Sequence, residues 1–384
     1  MRNFIKVGAV CAGLFMSTAL YAQVKIGLTL STTGPAASLG IPEQNTAALL
    51  PKEIGGQKVQ YIILNDASDT SVAVKNTHKL ISEDNVDAII GSTITTNSLA
   101  MVNIVGQAGT PMISVAASKH IVSPMDANRH WVYKTVQNDS LLTSTALKHM
   151  ADNGVKTVGY IGFADGYGDS WLEELNKNAP TYGIKIVANE RYGRNDSSVT
   201  GNVLKAMTAK PDAIFIGASG TPAALPQKTL IERGYKGKIY QTQGAANQDF
   251  LRVCGKDCEG TFIAVGPVLV ASQLPDTHPA KKVALDYIKH YEDKYGKGSV
   301  SPFGAHVWDA GRLLERAIPI AVKKAKPGTK EFRAALRDAL ESTKDLDVAN
   351  GVMNMTPEDH AGFDARAVAM IRIENGKWIL AATK

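Results

Sequence analysis

The spacing of short apolar runs constrains this chain more than any other feature. Beyond residue 156, runs that read as buried strands begin at Thr157 (TVGYIGF), Ile184 (IKIVANE), Asp212 (DAIFIGA), Lys238 (KIYQT) and Thr261 (TFIAVG). Successive starts lie 27, 28, 26 and 23 residues apart. Such an interval holds one strand, one helix and two loops of ordinary length. The first third alternates in the same way, with Val24–Leu30, Val59–Asn65, Val86–Ile90 and Met112–Val115 as strands. Between two of them, Ser71–Ser82 carries Val74, Leu80 and Ile81 on one helical side. Alternating strands and helices build parallel sheets covered on both faces. Right-handed crossovers make each a doubly wound unit. A chain of 384 residues can bury two such cores. The predicted class is α/β, with two doubly wound parallel-sheet lobes joined near Trp131–Asp139.

After Leu269 the pattern turns helical. Helices are predicted over His278–Tyr295, Phe303–Lys324 and Thr329–Ser342, the second kinked or ended by Pro319. The tail, Ala367–Leu380, alternates as two strands around Asn375-Gly376, a strong hairpin signal.

Residues 1–22 read as a secretory signal peptide. Arg2 and Lys6 precede an apolar run from Val7 to Met16, and small residues lead to Ala22. The run is too short for a membrane span, which takes about 20 residues. The expected product is exported to the periplasm. Lys and Arg outnumber Asp and Glu by 42 to 36. Two of the basic residues lie in the leader, and beyond it no Lys/Arg block exceeds three residues, which argues against nucleic acid as a partner. Beyond the leader only Cys254 and Cys258 remain. In an oxidising compartment a disulfide between them is expected, with two free thiols as the alternative.

Motifs for chemistry are missing. The turn after the first strand, Ser31-Thr32-Thr33-Gly34-Pro35-Ala36, lacks the dinucleotide-binding glycines. No phosphate-binding loop of the Gly-x-x-x-x-Gly-Lys-Ser/Thr type occurs. Gly217-Ala218-Ser219-Gly220-Thr221 resembles a nucleophile elbow but has Thr221 in place of its last glycine. The histidines have no metal-ligand spacing, so neither a metal nor a cofactor is expected. Asp165 and Asp169, flanking Tyr167, read as helix caps rather than a catalytic pair.

Hydroxyl- and glycine-rich loops instead recur at the C-terminal ends of predicted strands, where open parallel sheets bind ligands. They are Ser31–Ser38, Gly91–Ser98, Ala116–Ser118, Asp165–Gly168, Ala218–Thr221 and Gln243–Asn247. Together they suggest a cleft between the lobes, whose free N–H and hydroxyl groups suit a carboxylate.

At this point the chain resembles the periplasmic solute-binding proteins of ATP-binding-cassette (ABC) transporters, specifically the branched-chain amino acid receptor group with the type I fold. The resemblance rests on Val24–Gly40, Val86–Ser98, Thr110–Ser118, Tyr133–Asp139, Asp165–Asp169, Pro211–Ile216 and Trp308-Asp309-Ala310. It implies two lobes that close on a ligand around three hinge crossings, near Lys134–Asn138, Gly266–Val270 and Val348–Met353. Lobe 1 would be 23–135 and 269–347; lobe 2 would be 136–268 and 348–384. It implies a carboxylate held by Thr95 or Thr96 with Ala116 and Ser118, and Tyr167 closing over the ligand. Ser38, Leu39, Ser219, Gly220 and Gly244 complete the expected site. Two departures stand out. Leu39 occupies a position where amino acid binders often carry Tyr. The stretch Gln243–Ala246 lacks the acidic residue that pairs with a ligand ammonium, although Asp165 or Asp249 could supply one. A buried ammonium without a counter-charge is costly. The resemblance therefore implies a monomeric, non-enzymatic receptor for a small carboxylate, with an aromatic or other organic acid favoured. It would deliver the ligand to inner-membrane ABC permease subunits. The alternatives are a periplasmic sensor subunit of the same fold and an exported two-domain hydrolase.

Overall fold

The computed structural model describes residues 23–381. The expected signal peptide, 1–22, lies outside them. The first sheet takes β1 (Val24–Leu30), β2 (Glu53–Ile54), β3 (Gln57–Asn65), β4 (Ala88–Gly91), β5 (Met112–Ser114) and β6 (Val132–Lys134) in the order β2-β3-β1-β4-β5-β6. Every pairing is parallel except the short β2–β3 hairpin. Helices α1 (Ala37–Ala47), α2 (Thr70–Ser82) and α3 (Thr95–Ala108) make its crossovers.

The second sheet begins with β7 (Thr157–Phe163), β8 (Lys185–Tyr192), β9 (Ala213–Gly217), β10 (Lys238–Gln241) and β11 (Phe262–Val265), all parallel. Helices α4 (Asp139–Asp152), α5 (Gly166–Asn178), α6 (Thr200–Thr208), α7 (Ala224–Glu232) and α8 (Gln248–Cys254) surround it. The chain then returns to the first lobe through α9 (Ala280–Tyr295), α10 (Pro302–Ala321) and α11 (Lys330–Glu341). A small hairpin, β12 (Leu346–Val348) and β13 (Gly351–Met353), precedes β14 (Ala369–Glu374) and β15 (Lys377–Leu380). The last two extend the second sheet antiparallel, in the order β15-β14-β11-β10-β9-β7-β8. Their turn has Asn375 at φ 52° and Gly376 at φ 67°, both positive as a tight hairpin turn requires.

The two-residue strand period sorts the first core. Ala88 and Ile90 pack with α10 and α11 through Leu313, Leu314 and Leu336, whereas Ile89 packs on the other face with Leu80 and Met101. The second lobe has one core, built on Ile161, Phe215, Trp171 and Phe250. Pro319 does not end α10, which runs on to Ala321. On α2 the buried residues are Ala73, Thr77 and Leu80, so the buried face is rotated from the expected Val74, Leu80 and Ile81.

The third crossing lies later than expected. Residues 348–363 stay on lobe 1, where Val348, Met353 and Met355 join its core and Phe363 packs against it. Lys134 N donates to His360 O at 3.1 Å. The chain passes to lobe 2 only between Phe363 and Val368, which corrects the boundary at 348. The cysteines also differ from expectation. Cys254 and Cys258 are buried side by side and unbridged in this structure. Cys254 ends α8, Cys258 sits in the following turn, and its thiol donates to Gly255 O at 3.0 Å. Both pack in the second core as small hydrophobes.

The three crossings are knotted together. From the first, Gln137 Nε2 donates to Ala367 O at 2.9 Å and to Asn350 O at 3.4 Å. Asp309 on α10 accepts from Ala349 N at 2.7 Å, Asn350 N at 3.2 Å and Asn350 Nδ2 at 2.8 Å. The second crossing threads past at Gly266, where a β-carbon would stand 2.2 Å from Asn350 Oδ1 and 2.9 Å from Gln137 Nε2. Gly266→Ala is therefore expected to destabilise the protein by about 1–3 kcal/mol through overpacking. A urea midpoint equal to that of the parent would refute this contact.

His306, one turn before Asp309, donates from Nδ1 to Thr135 O at 3.0 Å. Burial holds this ring neutral, its pKa pushed down to about 3. In the unfolded chain an imidazole takes up its proton near ~6.5. The unfolded state thus binds the extra proton between these values, and stability falls as pH drops from about 6.5 towards 3. The loss between pH 7 and 5 is on the order of 2 kcal/mol. Denaturant unfolding at both pH values is expected to show a smaller loss for His306→Gln than for the parent, and equal losses would exclude His306 as the source.

Candidate functional site

Because β1 and β3–β6 in one lobe and β7–β11 in the other run parallel, their C-terminal ends gather along one edge of each sheet, and the two edges face each other. Between them lies a small, partly enclosed cavity. From lobe 1 it is lined by Leu39 on α1, Thr93, Ile94 and Thr95 at the start of α3, Val115–Ala117 after β5, and Phe303 on α10. From lobe 2 come Tyr167 in the first turn of α5, Arg194 after β8, Ser219 after β9, and Gln243 and Gly244 after β10.

Most of this wall is apolar, and its polar groups are of two kinds. Some are engaged. Thr93 Oγ1 accepts from Ser31 N at 2.9 Å and donates to Glu43. Burial, reinforced by nearby Asp66, raises the Glu43 carboxyl well above the ordinary range. Tyr167 donates its hydroxyl to Thr242 Oγ1 at 2.8 Å, which fixes the ring. Gly244 permits this, because a β-carbon there would lie 2.7 Å from the Tyr167 hydroxyl and 2.4 Å from Ser219 Cβ.

Other groups have no protein partner. Thr95 Oγ1 and Arg194 Nη2 are buried without a hydrogen bond. Helix α3 opens here with no side chain capping its first turn, so its amide ends and partial positive charge face the cavity. Arg194 lies with its Cζ 4.3 Å from the Phe163 ring centre. Its Nε donates to Asp165 Oδ2 at 2.5 Å and its Nη1 to Ser219 Oγ at 3.1 Å. Asp165 also caps α5, accepting from Tyr167 N at 2.9 Å and Gly168 N at 3.2 Å. Asp165 is thus engaged on both oxygens. Asp249 is half-exposed, pairs with Arg252 at 2.8 Å and does not line the cavity. Neither is free to meet a ligand ammonium.

Of the residues expected in the site, Leu39, Thr95, Ala116, Tyr167, Ser219 and Gly244 line the cavity. Ala116 contributes less than expected, because its N–H is engaged by Ser114 Oγ at 3.2 Å. Ser118 does not line it. Its hydroxyl meets Ser170 Oγ at 2.7 Å across the lobes, and next to it Lys119 pairs with Glu173 and Glu174. Thr96 turns its methyl towards Gly166 of the other lobe, and Gly220 packs against Ser38 and Leu39. These four positions, Ser38, Thr96, Ser118 and Gly220, border the closed lobes rather than the cavity. Thr93, Ile94, Ala117 and Gln243 lie in loops that the sequence already placed at the cleft, whereas sequence reasoning missed Val115, Phe303 and, above all, Arg194. The signal for Arg194 was its place just beyond β8, at the same sheet edge as the other loops.

Residues 23–377 match the family model described as periplasmic binding protein. The chain belongs to the periplasmic binding protein family. A Leu/Ile/Val-binding protein homologue of Brucella melitensis is 21% identical over 356 residues, 90% of each chain. An extracellular ligand-binding receptor from Rhodopseudomonas palustris is 47% identical, with a TM-score of 0.91 over 94% of this chain and all of that one. A solute-binding protein of an ABC transporter from R. palustris, solved in complex with benzoate, has a TM-score of 0.79 and 19% identity, covering 93% and 95% of the two chains. The family is that of periplasmic binding proteins, and the fold is the two-lobed type I fold of solved neighbours such as a type 1 periplasmic binding protein from Bordetella pertussis.

In this periplasmic binding protein the unpartnered Thr95 hydroxyl costs stability until something accepts from it. Thr95→Val is expected to stabilise the ligand-free protein by about 1 kcal/mol. Thermal unfolding of both proteins without ligand checks this, and a lower melting temperature for the variant would contradict it.

Proposed function

We infer that the protein is the substrate-binding receptor of an ABC importer, exported to the periplasm, which encloses a small carboxylate lacking an ammonium group. An aromatic acid is the favoured ligand. The observation that carries this reading is Arg194: a guanidinium in the cavity wall with one free buried donor, opposite a site with no free carboxylate among its described residues. With the open N-terminus of α3 it makes the cavity attractive to an anion and repulsive to a cation. The apolar wall of Leu39, Ile94, Val115, Phe303 and the Tyr167 ring suits a ring body. The benzoate complex of the R. palustris protein indicates that a fold of this kind can enclose such an acid.

In this reading Thr95 and the first amides of α3 hold the carboxylate, while Leu39, Tyr167 and Phe303 pack the ring. Closure shifts a pre-existing open–closed equilibrium, since only the closed form offers both walls at once. The closed monomer then docks on inner-membrane permease subunits and releases its cargo.

The test is a thermal-shift panel that sets leucine, isoleucine and valine against benzoate, phenylacetate and phenylglyoxylate. A ligand at 100 times its dissociation constant adds about 2.7 kcal/mol of stability. Stabilisation by an aromatic acid and not by the amino acids is expected. Arg194→Lys, which keeps the charge but loses the forked donor set, is expected to weaken that acid about 10- to 100-fold. Stabilisation by leucine, or an unchanged affinity in the Arg194 variant, would sink the reading.

A further inference from the structure

Beside β6, the edge strand of the first sheet, three residues widely separated in sequence converge. His130 lies in the turn just before β6, Glu341 ends α11, and His360 lies in the segment between β13 and β14. One potential ligand atom from each lies within 4.8 Å of the others. His360 Nε2 stands 3.2 Å from Glu341 Oε2, and His130 Nδ1 stands 3.5 Å from the same oxygen. Tetrahedral bonds of about 2.0–2.2 Å put neighbouring ligand atoms about 3.3–3.6 Å apart, so these two edges already match a metal site.

The ring of His360 is set for this role. Its side chain is wholly buried and stacks on Tyr133 with ring centres 4.2 Å apart. Its Nδ1 is 2.9 Å from Val132 O, and a carbonyl only accepts, so the ring proton sits on Nδ1. Nε2 is left to face the Glu341 carboxylate, where a proton or a metal cation can sit between them. A carbonyl bond to the far nitrogen is also the usual way a protein orients a metal-binding histidine. His130 is 38% exposed and opens the site to solvent. The nearby cation, Arg337, lies over the Trp131 ring and pairs with Asp338, its Nε 2.9 Å from Oδ1.

We propose that His130, Glu341 and His360 form a binding site for a borderline first-row divalent cation, Zn²⁺ in the first place, with a fourth position open to water. Two imidazoles and one carboxylate are a donor set that zinc takes. The bound ion would tie the 354–363 segment, which leads into the third crossing, to the end of α11 and the edge of the first sheet.

The test is calorimetric titration of the chelator-stripped mature protein with Zn²⁺, and absorption spectra with Co²⁺ as the probe. One equivalent of Zn²⁺ is expected to bind. His130→Ala and Glu341→Gln are each expected to weaken it by ~100-fold or more, since loss of a ligand exceeds loss of its support. Both side chains are partly exposed, and unchanged melting of the metal-free variants checks that they fold. No uptake of Zn²⁺, uptake that survives either substitution, or a cobalt thiolate charge-transfer band that assigns the metal to Cys254 and Cys258 would each overturn the proposal.

Discussion

The carboxylate of Asp309 is the fixed point on which the two lobes turn. It is fully buried, and burial raises its pKa to about 7. It survives there because three donors from the β12–β13 turn satisfy it. Asn350, held by Asp309, in turn meets Gln137 of the first crossing, whose amide also binds Ala367 of the third. Gly266 of the second crossing has no side chain because that space is taken. Removing one member would leave buried polar groups unpaired, which costs more than the bond itself contributes. The knot keeps three separate chain passages in one register, and so keeps two strand-end edges facing each other. Lys134 extends it towards the site. Fully buried, it donates to Ser118 O at 3.3 Å and Asn138 Oδ1 at 2.8 Å, and burial pulls its pKa down to about 8. The loop that borders the cleft is thereby tied to the hinge.

Closure and binding follow from the same polar arithmetic. Across the lobes, Ser118 meets Ser170 and Lys119 meets Glu173 and Glu174. These contacts favour the closed form, while Thr95 Oγ1 and Arg194 Nη2, buried without partners, disfavour it. A ligand that accepts from both removes that cost only in the closed state, which gives it the differential affinity that a population shift needs.

Regular features were legible in the sequence. A strand period near 27 residues, Asn375-Gly376 between alternating apolar residues, and Asp165 two residues before Tyr167 each encode local geometry, and the fold uses them as read. The features that were not legible depend on distant partners. Ser118 looks like a site hydroxyl until Ser170, on α5, takes it. Residues 348–363 look like a route into lobe 2 until Met353 and Met355 find the first core. The cysteines invite a bridge by proximity, yet the turn at Gly255 gives the Cys258 thiol a carbonyl instead. Arg194 escaped because loops were judged by their glycines and hydroxyls, a criterion blind to a long side chain reaching into the cleft.

The pairing of Arg194 with Asp165 bears directly on selectivity. A lone buried guanidinium would be expensive, and it would hold any anion too strongly to release it. With Asp165 on Nε and Ser219 on Nη1, most of that cost is already met inside lobe 2. What remains is one donor, aimed and desolvated, whose contribution depends on what it meets. An accepting oxygen gains a charge-assisted bond there, whereas an ammonium meets a like charge and no free carboxylate. In the proposed reading, discrimination comes as much from what the cavity repels as from what it holds, and it rests on a salt bridge whose carboxylate also caps the helix carrying Tyr167.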